Sequence, residues 1–370
     1  MPNLSEAPPS LCLDHAGIKA WLREMEPANL EVLWAAADRV RQARVGNDVH
    51  LRGLIEASSH CIRHCLYCGL RAPSEGLDRY RMNGAEILDC ALEAVRLGYG
   101  SVVIQAGEDP GLTQAFIGEV VRAIKRHTPL AVTLSLGERS DEDLLAWREA
   151  GADRYLLRFE TSDPLLYRRI HPSLPGIPSD RFAQLSRMRG MGYEIGTGVM
   201  VGIPGQTWDT LAFDLLRFRD FDMDMIGVGP FLPSPRTPLG RPEAASFFAP
   251  PEEQVPNDEL TTLKAIALTR LVCPEANIPS TTALATLDRA QGRELALMRG
   301  ANVVMPNVTP VAYRARYEIY PGKACIHETA AACQGCLSGR IHALGRRIGK
   351  GPGGRLKSDC KNEPASDLHH

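Results

Sequence analysis

A chain of 370 residues, 44% hydrophobic and 23% charged, can bury a large core, which argues against disorder throughout. A formal net charge of −2 gives no global basic excess for nucleic acid. Met1–Ser10 lacks the basic and apolar stretches of a secretory signal, and no run of about 18 apolar residues predicts a membrane span, so a cytoplasmic location is expected.

Residues 1–47 read as an N-terminal helical extension, with helix-like apolar spacing over Ile18–Met25 and Leu30–Val45. From Val49 short apolar runs alternate with longer amphipathic stretches. Strands are expected at Leu51–Ala57, Ser101–Gln105, Ala131–Leu136, Arg154–Phe159, Glu194–Met200, Met225–Val228, Ile278–Thr282 and Asn302–Met305. Helices are expected at 84–97, 113–127, 141–149, 179–190, 207–219, 257–271 and 288–298, with Ser140 and Asn257 as N-caps. Gly98, Gly151, Gly192 and Gly300 follow helices, where a left-handed residue is needed.

Strands joined by helices imply parallel pairing, because a parallel connection needs a helix-length crossover. The expected fold class is α/β: a (βα)8 TIM-type barrel over 48–307, with a doubly wound open sheet as the alternative. The Pro-rich stretch 233–256 reads as an irregular excursion. Residues 308–344 form a C-terminal extension. The Gly-rich and basic residues 345–370 read as a disordered tail, its final His369-His370 resembling an expression remnant.

In a reducing compartment, ten cysteines need an explanation other than disulfides. Six fall in two tight clusters, Cys61/Cys65/Cys68 and Cys325/Cys333/Cys336, which favours metal. Cys12, Cys90, Cys273 and Cys360 read as ordinary thiols. The first cluster directly follows the first strand, spaced C-x3-C-x2-C. A cubane has four irons, so three cysteines leave one iron without a protein ligand. Such an open position is where a metal centre takes substrate. A zinc ion completed by His60 or His64 is the plain alternative on spacing.

Chemistry in a barrel gathers at the C-terminal ends of its strands. There the sequence places Gly107 and Glu108, then Thr133 to Glu138, then Arg158 and Glu160, then Met200, then Thr281 and Thr282. A charged pair such as Arg158 and Glu160 is costly to bury without partners. Arg181 opens the next helical stretch, and Tyr317 and Tyr320, one helical turn apart, could share a face. Each also has a structural reading: a turn, an ion pair, a core methionine, packed aromatics.

The first cysteine motif, with Tyr67 before its last cysteine, resembles that of the radical S-adenosylmethionine (SAM) superfamily. The resemblance implies that Cys61, Cys65 and Cys68 hold a catalytic [4Fe–4S] cluster whose fourth iron binds SAM. One electron then cleaves the sulfonium to methionine and a 5′-deoxyadenosyl radical. It places Tyr67 near the adenine and Gly107 and Glu108 at the methionine amino group, with Ala106 where the family has a further glycine. Glu160 falls at the ribose hydroxyls or amino group, Arg181 at the carboxylate, and Met200 against SAM.

Longer strings, among them Cys-Leu-Tyr-Cys-Gly-Leu-Arg, Asn-Ile-Pro-Ser-Thr-Thr-Ala and Tyr-Pro-Gly-Lys-Ala-Cys, look like the HydE family of [FeFe]-hydrogenase maturases across residues 48–345. That resemblance implies a small organometallic iron–cysteine substrate, bound by Thr133, Arg158, Thr281, Thr282, Tyr317 and Tyr320. It implies a second Fe–S cluster ([2Fe–2S] or [4Fe–4S]) at Cys325, Cys333 and Cys336, dispensable for catalysis. The implied partners are a low-potential electron donor of flavodoxin or ferredoxin type and the maturases HydG and HydF, with no nucleic acid and no membrane. The alternatives are another radical SAM enzyme, such as methylornithine synthase or a biotin synthase-like enzyme, and a non-catalytic Fe–S carrier.

Overall fold

The computed structural model describes residues 12–177 and 179–356. Strand β1 (Asp48–Ser58) is buried on both faces along most of its length, as a parallel strand covered by helices must be. Seven more strands follow: β2 (Ser101–Ala106), β3 (Ala131–Ser135), β4 (Arg154–Leu156), β5 (Glu194–Val201), β6 (Met225–Pro230), β7 (Pro279–Ser280) and β8 (Val303–Val304). They pair in the order β6-β5-β4-β3-β2-β1-β8-β7, every pair parallel. The two ends of that order meet. The Ile226 N–H donates to the Asn277 carbonyl at 2.9 Å, and the Asn277 N–H to the Asp224 carbonyl at 2.9 Å. The sheet is thus a nearly closed eight-stranded barrel, as the alternating pattern predicts, and not an open doubly wound sheet.

The covering helices follow from their caps and apolar stripes. In Gly84–Arg96, Asn83 and Glu86 form a reciprocal capping box, and Ile87, Cys90, Ala91 and Ala94 face the core. The N-terminal helices His15–Arg23 and Pro27–Val45 pack on Trp208–Asp220 and Glu259–Val272. The latter is therefore covered nearly all round, and its buried Lys264 is satisfied by the Glu24 carbonyl at 3.0 Å. Its N-cap is Asp258, one residue later than expected. Asp258 accepts from the Thr261 N–H at 2.7 Å, while Asn257 reaches the Phe231 carbonyl at 2.9 Å instead.

Three departures bear on the site. The seventh strand stops at Ser280, because Thr281 already caps the helix Thr282–Leu287. Further helices occupy Pro164–Ile170 and Ala330–Ala343, begun by Asp163 followed by proline and by Thr329. Residues 345–356 are not a disordered tail. A ninth strand, β9 (Arg347–Ile348), pairs with the start of β1. The chain then closes the barrel floor, with Arg52 donating to the Gly353 carbonyl at 3.0 Å and Arg154 to the Pro352 carbonyl at 3.1 Å. Those buried guanidiniums demand acceptors, which a composition count does not register. Residues 1–11 of the N-terminal extension and 357–370 of the tail lie outside the described residues. No helix among the described residues is long and apolar enough to cross a membrane.

Candidate active site

The cysteine loop leaves the C-terminal end of β1 and is pinned on several sides by backbone hydrogen bonds. The Ile62 N–H donates to the Glu108 carbonyl at 2.9 Å, Leu66 to Ile170 at 2.8 Å and Gly69 to Ile319 at 2.9 Å. Arg71 adds a bond to the Cys65 carbonyl at 2.8 Å. Gly107 is required by proximity: a Cβ there would lie 2.3 Å from the His60 carbonyl oxygen and 2.7 Å from the Cys61 Cβ.

Burial pushes the thiols of Cys61, Cys65 and Cys68 up, that of Cys68 to about 12, and Cys65 and Cys68 are further raised by neighbouring cysteines. These three thiols become thiolates near neutral pH only against a strongly cationic partner. Among the described residues, the one group of three whose ligand atoms lie within 4.8 Å of one another is Glu108, Glu138 and His171. At least one pair of the Cys61, Cys65 and Cys68 sulfurs is therefore more than 4.8 Å apart, wider than the about 3.8 Å that a single tetrahedral zinc imposes. That spread suits a multinuclear cluster, and the residues present fit one.

Behind the cysteines lies a buried charge network. Arg63 pairs with Glu108 and stands 3.3 Å from Glu138. Arg181 donates to Glu138 at 2.9 Å and lies 3.7 Å from Glu108. Burial raises the Glu108 carboxyl against the pull of Arg63 and Arg181. Glu138 is also penalised by burial, yet the charge of Arg181 and the hydrogen bond it accepts from the Ser179 hydroxyl at 2.7 Å hold it well below the usual range. Two guanidiniums already supply the cation that Glu108, Glu138 and His171 would need, so this group is no metal site. Its charges suit a zwitterion with an amino and a carboxylate group.

Glu160 sits just beyond β4 with φ 63°, a left-handed conformation rare outside glycine. Its carboxylate accepts from Arg158 Nε at 3.1 Å. The turn is locked by buried Asp214, which accepts from the Ser162 N–H at 2.5 Å and from Gln206 Nε2 at 3.2 Å. Such strain persists only where the surroundings over-determine it. Tyr67 and Met200 pack together against a small apolar cluster containing Ile203 and Phe231, apart from the main core. The structure thus brings Tyr67, Gly107, Glu108, Glu160, Arg181 and Met200 around the cysteine loop.

Inside the barrel a cavity of about 180 Å³ is lined by Arg158, Thr281, Thr282 and Tyr320, together with Glu56, Gln105, Ser135 and Lys323. Thr133 and Tyr317 do not line it. Thr133 lies deeper on β3, fully buried with its hydroxyl unpartnered. Tyr317 is buried under Lys323, whose ammonium lies 5.1 Å from the ring centroid. The expected shared helical face of Tyr317 and Tyr320 is absent, because the helix Val311–Arg314 ends before them. Glu56 and Lys323 form a buried ion pair. Sequence reading passed over Glu56 and His171. An acid mid-strand in an apolar run was the available signal for Glu56; His171 follows a helix that the periodicity did not reveal.

Cys325, Cys333 and Cys336 line a second cavity of about 280 Å³. The Cys333 and Cys325 sulfurs are 3.9 Å apart, and Cys325 has φ 61°. Both cavities share Leu54, Thr282, Met305 and Lys323 as a common wall.

Residues 55–216 match the model of the radical SAM superfamily. The chain is 46% identical to the [FeFe] hydrogenase maturase subunit HydE of Thermotoga maritima over 327 residues, covering 88% of this chain and 89% of that one. The chain belongs to the radical SAM superfamily. It is 31% identical to 3-methylornithine synthase of Methanosarcina acetivorans, over 78% of this chain and 77% of that one. The crystal structure of methylornithine synthase superposes with TM-score 0.75 at 25% identity, covering 91% of this chain and 94% of that one. The HydG maturase of Carboxydothermus hydrogenoformans shares the fold, with TM-score 0.71 at 18% identity over 90% and 74% of the two chains. Membership makes the chain a radical SAM enzyme and implies a [4Fe–4S] cluster and SAM.

Proposed function

We propose that this enzyme is a HydE-type maturase, acting on a small organometallic iron–cysteine precursor of the [FeFe]-hydrogenase active site. The observation that carries the reading is the Arg158–Glu160 pair, which joins the barrel cavity to the cysteine-loop side in a chain 46% identical to HydE. Cys61, Cys65 and Cys68 would hold the [4Fe–4S] cluster. When bound, that cluster supplies the electron that cleaves SAM to methionine and a 5′-deoxyadenosyl radical. Glu108 would take the methionine amino group and Arg181 its carboxylate. Glu160 would hold the ribose, and Tyr67 and Met200 the adenine. Gly107 lets β2 approach closely enough to place Glu108.

In the cavity, Arg158 offers a planar fork to a carboxylate or cyanide, and Thr281, Thr282 and Tyr320 offer hydroxyls. Thr133 and Tyr317 would act from behind that lining, not in contact. Cys325, Cys333 and Cys336 would hold a second Fe–S cluster. A flavodoxin- or ferredoxin-type donor, HydG upstream and HydF downstream would complete the system in the cytoplasm.

The test is complementation. A hydrogenase-maturation extract lacking its own HydE should regain hydrogenase activity when this protein is added with SAM and reductant; no recovery would contradict the reading. The kinship to methylornithine synthase favours a second reading, rearrangement of an amino-acid skeleton. Conversion of lysine to methylornithine by this protein would establish it instead.

A further inference from the structure

His171 is fully buried directly beyond the helix Pro164–Ile170, against the cysteine loop. Its Nδ1 lies 3.0 Å from the Cys65 sulfur and 3.4 Å from the Tyr67 hydroxyl. Its Nε2 lies 2.9 Å from Arg181 Nη2. The guanidinium has donors and no acceptor, so Nε2 must accept and the ring proton must sit on Nδ1. Glu138, at 3.6 Å from Nε2, is too far to hold a proton there. Arg181 is itself fixed, its Nε on Glu138 and its Nη1 on the Arg158 carbonyl. The tautomer is thus set from outside the cysteine loop, and the N–H points at one cysteine sulfur.

We infer that His171 is a positioning residue that donates a hydrogen bond from Nδ1 to the Cys65 sulfur and thereby raises the reduction potential of the cluster. The inference rests on the cluster reading above. One-electron reduction by the external donor adds negative charge to the cluster and its sulfurs. A fixed N–H directed at one of them favours the reduced state, and potentials of such clusters depend on hydrogen bonds to their sulfurs. The same ring links Cys65 to Arg181, the proposed partner of the SAM carboxylate. Any displacement of Arg181 when SAM binds would therefore be felt at the sulfur.

The experiment uses the full-length, anaerobically reconstituted protein, with the cluster titrated by EPR at controlled potential. His171→Phe should load iron and sulfide fully, yet show a reduced-to-oxidised ratio about tenfold lower at a fixed poise, about 59 mV for a one-electron couple. His171→Asn, whose Nδ2 can stand near the lost Nδ1, should recover most of that loss. A measurement on the unmodified sequence guards against a variant that does not fold. With ¹⁵N-histidine incorporated, pulsed EPR of the reduced cluster should show a ¹⁵N coupling that disappears in His171→Asn. Equal potentials in all three proteins at equal iron content, or no histidine coupling in the wild type, would overturn the inference alone. A wild-type protein forming no [4Fe–4S] cluster would overturn the cluster reading and this inference with it.

Discussion

Arg158 Nε and the Glu160 carboxylate stand 3.1 Å apart at the end of β4, yet the two side chains serve different compartments. Arg158 lines the barrel cavity. Glu160, turned by its left-handed backbone, lies on the side of Tyr67 and Cys68, whose thiol and phenol feel its charge. A single strand end thus joins the proposed cofactor and substrate sites.

That division predicts separable defects. Arg158→Lys keeps a positive charge but loses the fork. Maturation activity should fall by about tenfold or more, while SAM affinity changes by less than about threefold. Glu160→Gln should do the reverse, weakening SAM binding by roughly tenfold. Isothermal titration with SAM, beside a maturation assay, reads both. Identical defects in both variants would contradict the assignment.

Gly107→Ala forces a new carbon to within 2.3 Å of the His60 carbonyl oxygen. Backbone must shift, at a cost of about 1–3 kcal/mol, and the cysteine loop shifts with it. Reconstituted iron content should drop below half of wild type, and the melting temperature should fall. An unchanged iron content would show that the close approach is not needed.

The two cysteine sets should differ in consequence. Cys65→Ala should abolish deoxyadenosine formation, since two thiolates rarely retain a cubane. Cys333→Ala should leave it within about threefold of wild type while iron content falls. Equal damage from both would reverse the ranking of the two sites.

Burial raises the Asp214 carboxyl from 3.8 to about 7, against the hydrogen bonds it accepts from Ser162, Gln206 and Thr161. The folded protein therefore keeps a proton that the unfolded chain has released. This group costs nothing below 3.8, and its penalty grows with pH until about 7, where it is complete. The slope is at most about 1.4 kcal/mol per pH unit. Asp214→Asn, which cannot ionise, should gain stability relative to wild type as pH rises from 5 to 8. Denaturant unfolding at several pH values measures that difference; a pH-independent difference would refute it.

Sequence reading reached the barrel because its signals are local. Strands buried on both faces give apolar runs, and Ser140 marks a helix start by its own chemistry. The cysteine loop and the strand-end residues Glu108, Arg158, Glu160 and Thr281 were legible because barrel chemistry sits at one end of the strands. What escaped depends on distant partners. His171 matters through Arg181 and Cys65, and the floor of 345–356 is ordered by Arg52 and Arg154. Thr282 was read as strand because nothing in its own residue type says that Thr281 will cap a helix. The spacing of Tyr317 and Tyr320 suggested a helix that ends at Arg314.

The most direct test of the central claim is anaerobic. The protein is reconstituted with iron and sulfide, reduced with dithionite and mixed with SAM, while the EPR spectrum and 5′-deoxyadenosine are recorded together. The account predicts a [4Fe–4S]⁺ signal that shifts when SAM is added, with deoxyadenosine formed in the same sample. A protein that takes up only zinc, or a cluster whose spectrum ignores SAM and yields no deoxyadenosine, would contradict it.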